Sequence, residues 1–258
     1  MRGERIAAVL VVVVWALVLA GLPAAEPAAA GPAGTLRTFC RTVVELTQLV
    51  AVEGAIPDED APQRKIAKFE TRLAKLFNRA ERTAPPEIVN DVSFASELTY
   101  LDVRGTPDDL GIAEPIGAIK RFVADECGFK TVTVTAREYE FEGIPKTLRT
   151  GTVVFELRNE GSEVHEMAFG RIKGDAPLEA LLALPEEERV SLNRIQELGL
   201  RAVAAPAESD VALVTFTRPG RYAVADFVPV GTTSVEAETN AAPHTDEGMF
   251  AEFRVKKR

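Results

Sequence analysis

The sequence is short of the residues that most often carry chemistry. Its 258 residues include two cysteines, two histidines, three methionines and one tryptophan. There is no Cys-x-x-Cys, and neither Cys40 nor Cys127 has a histidine beside it, so a cysteine zinc site or a dithiol redox motif is not expected. No phosphate loop, dinucleotide fingerprint or Ser/His/Asp set stands out. Positive charge is scarce as well. With 30 Lys and Arg against 39 Asp and Glu, the formal charge is −9. That balance argues against nucleic acid, or an anionic membrane surface, as partner.

The N-terminus is different in kind. A basic start, Arg2 to Arg5, leads into an apolar run, Ile6 to Leu22, and then a small-residue segment, Pro23 to Gly34. This is the order of a secretory signal peptide. Ala28-Ala29-Ala30 fits the cleavage site, leaving Gly31 as the first mature residue. The competing reading is a retained anchor, since roughly 17–25 apolar residues can span a bilayer. Removing residues 1–30 takes away Arg2, Glu4, Arg5 and Glu26, so the formal charge stays at −9. Export to the cell envelope, periplasm or medium is expected. The membrane enters only if the apolar run is kept. In an oxidising compartment, Cys40 and Cys127 are expected to form one disulfide.

Residues 31–129 read as helical. Leu36, Phe39, Cys40, Val43, Leu46 and Val50 recur at helical spacing, with Thr35 as a possible N-cap and Gly54 and Pro57 as stops. Ile66, Phe69, Leu73, Leu76, Phe77 and Ala80 mark a second helix, with Lys65, Lys68, Arg72, Lys75 and Arg79 on its outer face. Ile88, Val92, Ala95, Leu98 and Leu101 mark a third; Ile116, Ile119 and Val123 mark a fourth after Pro115. Four stripes predict a small antiparallel four-helix bundle. Its up-down-up-down course would bring Cys40 and Cys127 together.

From residue 130 the period changes to two. Thr131-Val132-Thr133-Val134-Thr135 alternates; strands are also expected at 152–157, 165–169, 211–217, 221–228 and 250–255. A helical insertion is expected between Asp175 and Arg201, with Asp175 as N-cap and Pro185 opening its second helix. The fold class is therefore α+β: an N-terminal helical bundle followed by a β-sandwich with a helical insertion.

The two histidines both fall in this second part. The first ends Asn159-Glu160-Gly161-Ser162-Glu163-Val164-His165. After Pro219-Gly220-Arg221-Tyr222, the second lies in Pro243-His244-Thr245-Asp246-Glu247-Gly248-Met249, just before a final strand. This ordered set resembles the cupredoxin family of blue-copper proteins over roughly residues 130–258. The resemblance implies a Greek-key sandwich and a copper site with His165, His244 and Met249 among its ligands. It also implies a cysteine at the end of the strand after Pro-Gly-x-Tyr. Asp226 stands there instead.

That replacement changes the expected chemistry. A carboxylate is a harder donor than a thiolate and suits more ionic coordination. Cu(II), or alternatively Zn(II), is expected at His165, Asp226 and His244, with Met249 weak or absent as a ligand and electron transfer the lesser role. Glu163, Glu166, Asp246 and Glu247 would add attraction for a cation. The competing reading is a metal-free interaction module with a protein partner in the envelope. Two histidines leave no ligands for a second copper centre, so the chain is expected not to be an enzyme.

Overall fold

The structure, a computed structural model, describes residues 33–50, 61–102, 113–185, 188, 194–235 and 240–258. The proposed signal segment 1–30, the stops Gly54 and Pro57 and most of the second helix after Pro185 lie outside them. Among the described residues, no helix is long and apolar enough to cross a membrane.

Four helices come first: α1 (Ala33–Val50), α2 (Gln63–Thr83), α3 (Val89–Asp102) and α4 (Ala113–Glu126). The apolar stripes explain them. Phe69, Leu73, Leu76, Phe77 and Ala80 of α2 are all buried, one face of a helix with cations on the other. Each helix packs on the next in sequence. Cys127, just past α4, is joined to Cys40 of α1 with 5.7 Å between their Cα atoms. The bridge spans 87 positions, and closing such a loop restricts the denatured chain by about 4–5 kcal/mol. The double variant Cys40→Ala/Cys127→Ala should lose about that much stability in a urea titration. A loss under about 1 kcal/mol would mean that the chain-entropy argument does not apply here.

The strands form a mixed sandwich. They are β1 (Lys130–Arg137), β2 (Glu140–Glu142), β3 (Thr147–Arg149), β4 (Gly151–Asn159), β5 (His165–Ile172), β6 (Ile195–Ala204), β7 (Ser209–Phe216), β8 (Gly220–Ala225) and β9 (Phe250–Lys256). One sheet has the order β2-β1-β4-β7, the other β3-β9-β8-β5-β6. Pairing is antiparallel except for β1 with β4 and β3 with β9. Val134, Phe155, Leu157, Met167, Val214, Phe216, Tyr222 and Phe253 fill the space between the sheets.

The helices do not close on themselves alone. Their apolar cluster includes Val154 of β4 and Val211 and Leu213 of β7, while the alternate residues Val153, Phe155, Ala212 and Val214 face the sandwich core. Strands β4 and β7 are thus buried on both faces, and the helices make a third layer. Lys120 of α4 ties that layer down: its Nζ donates to Asp210 Oδ2 at 2.6 Å and to the Arg201 carbonyl at 3.1 Å.

The insertion differs from the sequence expectation. Helix α5 (Leu178–Leu182) has Pro177 rather than Asp175 at its N-cap, and Glu188, within the expected second helix, is helical. Ile195 to Arg201, read as helical, belong to β6. Strand β6 pairs with β5 and completes the second sheet, with an irregularity between Met167 and Phe169. Backbone hydrogen bonds to β5 outweigh the weak helical spacing of these residues, and Gly199 is a poor helix former.

Candidate metal centre

Three segments bring the candidate ligands together. The first is the turn between β4 and β5. Asn159 is buried and organises it: Nδ2 donates to the carbonyls of Glu163 (2.7 Å) and Ala204 (2.8 Å), and Oδ1 accepts the Gly161 amide (2.8 Å). Glu138, in the β1–β2 turn, accepts the amides of Ser162 and Glu163 and the Ser162 hydroxyl. Those donors, the Ser162 amide foremost, hold its carboxyl down to about 2. The chain then enters β5 at His165.

The second segment is the end of β8, where Asp226 follows Ala225 directly. The third is the loop from His244 to Met249. Residues His244–Glu247 form a single 3-10 turn, closed by Gly248 in the left-handed region at φ 99°, where a side chain would be strained. That turn lets His244 and Met249 stand close together: the Met249 amide donates to the His244 carbonyl at 3.0 Å. The second and third segments are laced to each other. The Thr245 amide donates to the Asp226 carbonyl (3.0 Å), the Asp226 amide to the Met249 carbonyl (3.1 Å), and the His244 amide to the Val228 carbonyl (2.9 Å).

His165, Asp226, His244 and Met249 are each fully buried. Asp226 Oδ2 is the meeting point. It lies 2.9 Å from His165 Nδ1, hydrogen-bonded to it, and 3.0 Å from His244 Nδ1. It also accepts the Glu166 amide at 3.1 Å, while Oδ1 accepts the Val228 amide at 2.9 Å. The two imidazole centroids are 5.0 Å apart. Burial works against ionisation of Asp226, but His165, His244 and the two amides together hold its carboxyl below the usual range. His244 is likewise opposed by burial, and Asp226 and Glu163 raise it above the ordinary imidazole value.

Two buried ring nitrogens have no hydrogen-bond partner: His165 Nε2 and His244 Nδ1. The second is notable because Asp226 Oδ2 is so near. The atoms approach to 3.0 Å without the alignment of a hydrogen bond. His165 Nε2 is walled in by Gly161. A Cβ at that glycine would sit 2.8 Å from Nε2 and 2.5 Å from Glu138 Oε1. Both neighbours are pinned, so Gly161→Ala should cost about 1–3 kcal/mol by overpacking, read as a lower denaturant midpoint. A variant as stable as the parent would show that this turn is free to move.

His165, Asp226 and His244 offer one ligand atom each, all within 4.8 Å of one another. Metal–nitrogen distances of about 2.0–2.1 Å in a tetrahedral site put donors about 3.3 Å apart. The observed 2.9 and 3.0 Å separations need to open by only a few tenths of an ångström. Met249 is brought to the same corner by its backbone, with its side chain packed in the sandwich core. Of the neighbouring carboxylates, Glu163 reaches a histidine, with Oε2 3.0 Å from His244 Nε2. Glu166 pairs with Arg201 at 2.9 Å, and Asp246 and Glu247 are exposed. Sequence reasoning missed Tyr139, whose ring centroid is 5.2 Å from that of His244; its position in the β1–β2 turn, far from either motif, gave no signal.

No family model and no curated protein matches this chain. Solved structures do. Auracyanin from Roseiflexus castenholzii is 18% identical with a TM-score of 0.34, over 49% of this chain and 97% of its own. Auracyanin A, a "blue" copper protein from Chloroflexus aurantiacus, is 16% identical with a TM-score of 0.32, over 51% and 100%. The McoA multicopper oxidase of Aquifex aeolicus is 15% identical with a TM-score of 0.27, over 50% and 30%. The expectation that the chain is not an enzyme rested on its having ligands for one copper centre alone. Oxidases stand among the structures that it resembles, so that expectation is withdrawn.

Proposed function

We propose that this is an exported cupredoxin-like protein that binds one divalent transition-metal ion, copper foremost, through His165, Asp226 and His244. Met249 supplies a weak fourth contact. The observation that carries the reading is the convergence of three buried ligand atoms on one point. Both histidines and the methionine stand where the cupredoxin resemblance puts ligands, and Asp226 stands in the place of its cysteine. The two-sheet sandwich, with His165 opening a strand near the sheet edge and His244 and Met249 in the loop before the last strand, supports the same reading. So does the signal-like order of residues 1–30, which favours export; residues 31–129 are then the helical domain and 130–258 the cupredoxin-like one.

The ion would be held by two neutral imidazoles and a carboxylate. That donor set suits Cu(II) or Zn(II) and lacks the thiolate that makes a copper centre blue. Binding, buffering or delivery of the metal is the role that follows. The test is calorimetric titration of residues 31–258 with Cu(II) and Zn(II). One equivalent should bind, and His165→Ala and His244→Ala should each abolish it. Binding that survives both substitutions would refute the assignment.

Protons compete with the metal. Because Asp226 and Glu163 raise His244, the protonated ring persists above the ordinary imidazole value near 6.5. The stabilisation from that charged pair in metal-free protein is full below about 6.5 and is lost as pH rises through the raised value. Metal affinity has the opposite trend. It should be constant above the raised value and fall by about tenfold per pH unit below it. An affinity unchanged across that window would mean that His244 is not a ligand.

One observation favours a second reading. Asp226 accepts hydrogen bonds from His165 and from two amides, so the pocket is largely satisfied by its own groups. A metal-free module that binds an envelope protein would need no more. It predicts no specific metal uptake in the titration.

A further inference from the structure

The two histidines are supported unequally, and the difference lies at Glu163. Its Oε2 is 3.0 Å from His244 Nε2 and also accepts the Gly231 amide. Its Oε1 is 3.4 Å from the Tyr139 hydroxyl. The Glu163 backbone is fixed by Asn159 on one side and Glu138 on the other. Only 14% of its side chain is exposed, and His244 is wholly enclosed. Three separate parts of the chain, the Glu138–Tyr139 turn, Asn159 and Gly231, therefore hold one carboxylate against the outer nitrogen of one ring.

The ring's two nitrogens face two carboxylates, and only one of them is hydrogen-bonded. Nε2 is paired with Glu163, whereas Nδ1 has no hydrogen-bond partner although Asp226 is 3.0 Å away. Asp226 Oδ2 is already occupied by His165 Nδ1 and the Glu166 amide. Glu163 is thus the aligned acceptor for this ring, and a neutral His244 with its proton on Nε2 would turn an Nδ1 lone pair inward. His165 is the reverse. Its Nδ1 faces Asp226 in a hydrogen bond, and its Nε2 is buried against Gly161 with no acceptor.

We infer that Glu163 is the positioning residue of this centre: its carboxylate takes the Nε2–H of His244 and so fixes the tautomer and ring orientation that present Nδ1 to a metal ion. The inference rests on the metal centre proposed above. The outer nitrogen of a ligating histidine needs such an acceptor, and losing it typically weakens metal affinity by about 10–100-fold. His244 arrives prepared, while His165 must give up the proton that it shares with Asp226 before it can ligate. Tyr139 covers the ring and contributes packing rather than a proton acceptor.

The test uses protein labelled with 15N-histidine, read by long-range 1H–15N correlation at alkaline pH, metal-free and with Zn(II). In the parent, His244 should be the Nε2–H tautomer in both states, and His165 should be Nδ1–H when metal-free. Glu163→Ala should let His244 move its proton to Nδ1 or mix tautomers, leave His165 unchanged, and weaken Zn(II) and Cu(II) binding by about 10–100-fold. Glu163→Gln keeps a carbonyl acceptor and should restore the tautomer and most of the affinity. Tyr139→Phe should leave the tautomer alone. An Nδ1–H His244 in the parent, or a tautomer untouched by Glu163→Ala, overturns the inference. The metal-free spectra decide this even if the parent takes up no metal. In that case an Nε2–H signal lost in Glu163→Ala upholds the Glu163 assignment, and it is the metal reading that fails.

Discussion

Asp226→Cys is expected to turn the Cu(II)-loaded protein intensely blue. Asp226 sits directly after β8, and its backbone is bonded to both Thr245 and Met249. Its side chain is thereby directed between His165 and His244, with Oδ2 2.9 and 3.0 Å from their Nδ1 atoms. A cysteine there would complete the two-imidazole, one-thiolate plane with a methionine at long range that blue-copper sites use. The parent protein with Cu(II) should be nearly colourless, with the EPR of an ordinary tetragonal site. The variant should absorb in the visible at least an order of magnitude more strongly. A copper-loaded variant that stays pale would place the ion away from residue 226.

Removing the carboxylate altogether tests the other property of Asp226, its part in the metal-free fold. Asp226→Ala leaves His165 Nδ1 and the amides of Glu166 and Val228, all bonded to the carboxylate now, without an acceptor. Stranding the partners of a buried charged group costs about 3–5 kcal/mol. Asp226→Asn keeps one acceptor oxygen and should cost less, about 1–3 kcal/mol. Both are measured as shifts in the urea midpoint at unchanged slope, in chelator. The sign has a pH signature. Asp226 is held below its ordinary value, so its contribution is full above the unfolded carboxylate value near 3.9 and is lost as pH falls through the lowered one. An Asp226→Ala protein as stable as the parent would mean that the pocket relaxes around the loss.

Much of this site was legible in the sequence. With only two histidines in the chain, their placement after Asn-x-Gly and before Gly-Met carried most of the information, because short local turns fix those spacings. Alternation gave β1 directly. What was not legible depends on distance. Glu163 meets His244 across 81 residues, and nothing local distinguishes Glu163 from Glu166, whose carboxylate turns instead to Arg201. Strand β6 was missed because its state is set by pairing with β5 rather than by its own pattern. The third layer did leave a trace. Val153-Val154-Phe155 of β4 runs apolar without alternation, and these residues divide between two cores, as expected of a strand buried on both faces.

The most direct measurement is a crystal structure of the copper-loaded protein with the ion located by anomalous scattering. The ion should lie among Nδ1 of His165, Nδ1 of His244 and a carboxylate oxygen of Asp226, at about 2.0–2.2 Å from each. Copper found only at surface sites, with the hydrogen bond between His165 and Asp226 intact, would contradict a metal centre in this pocket.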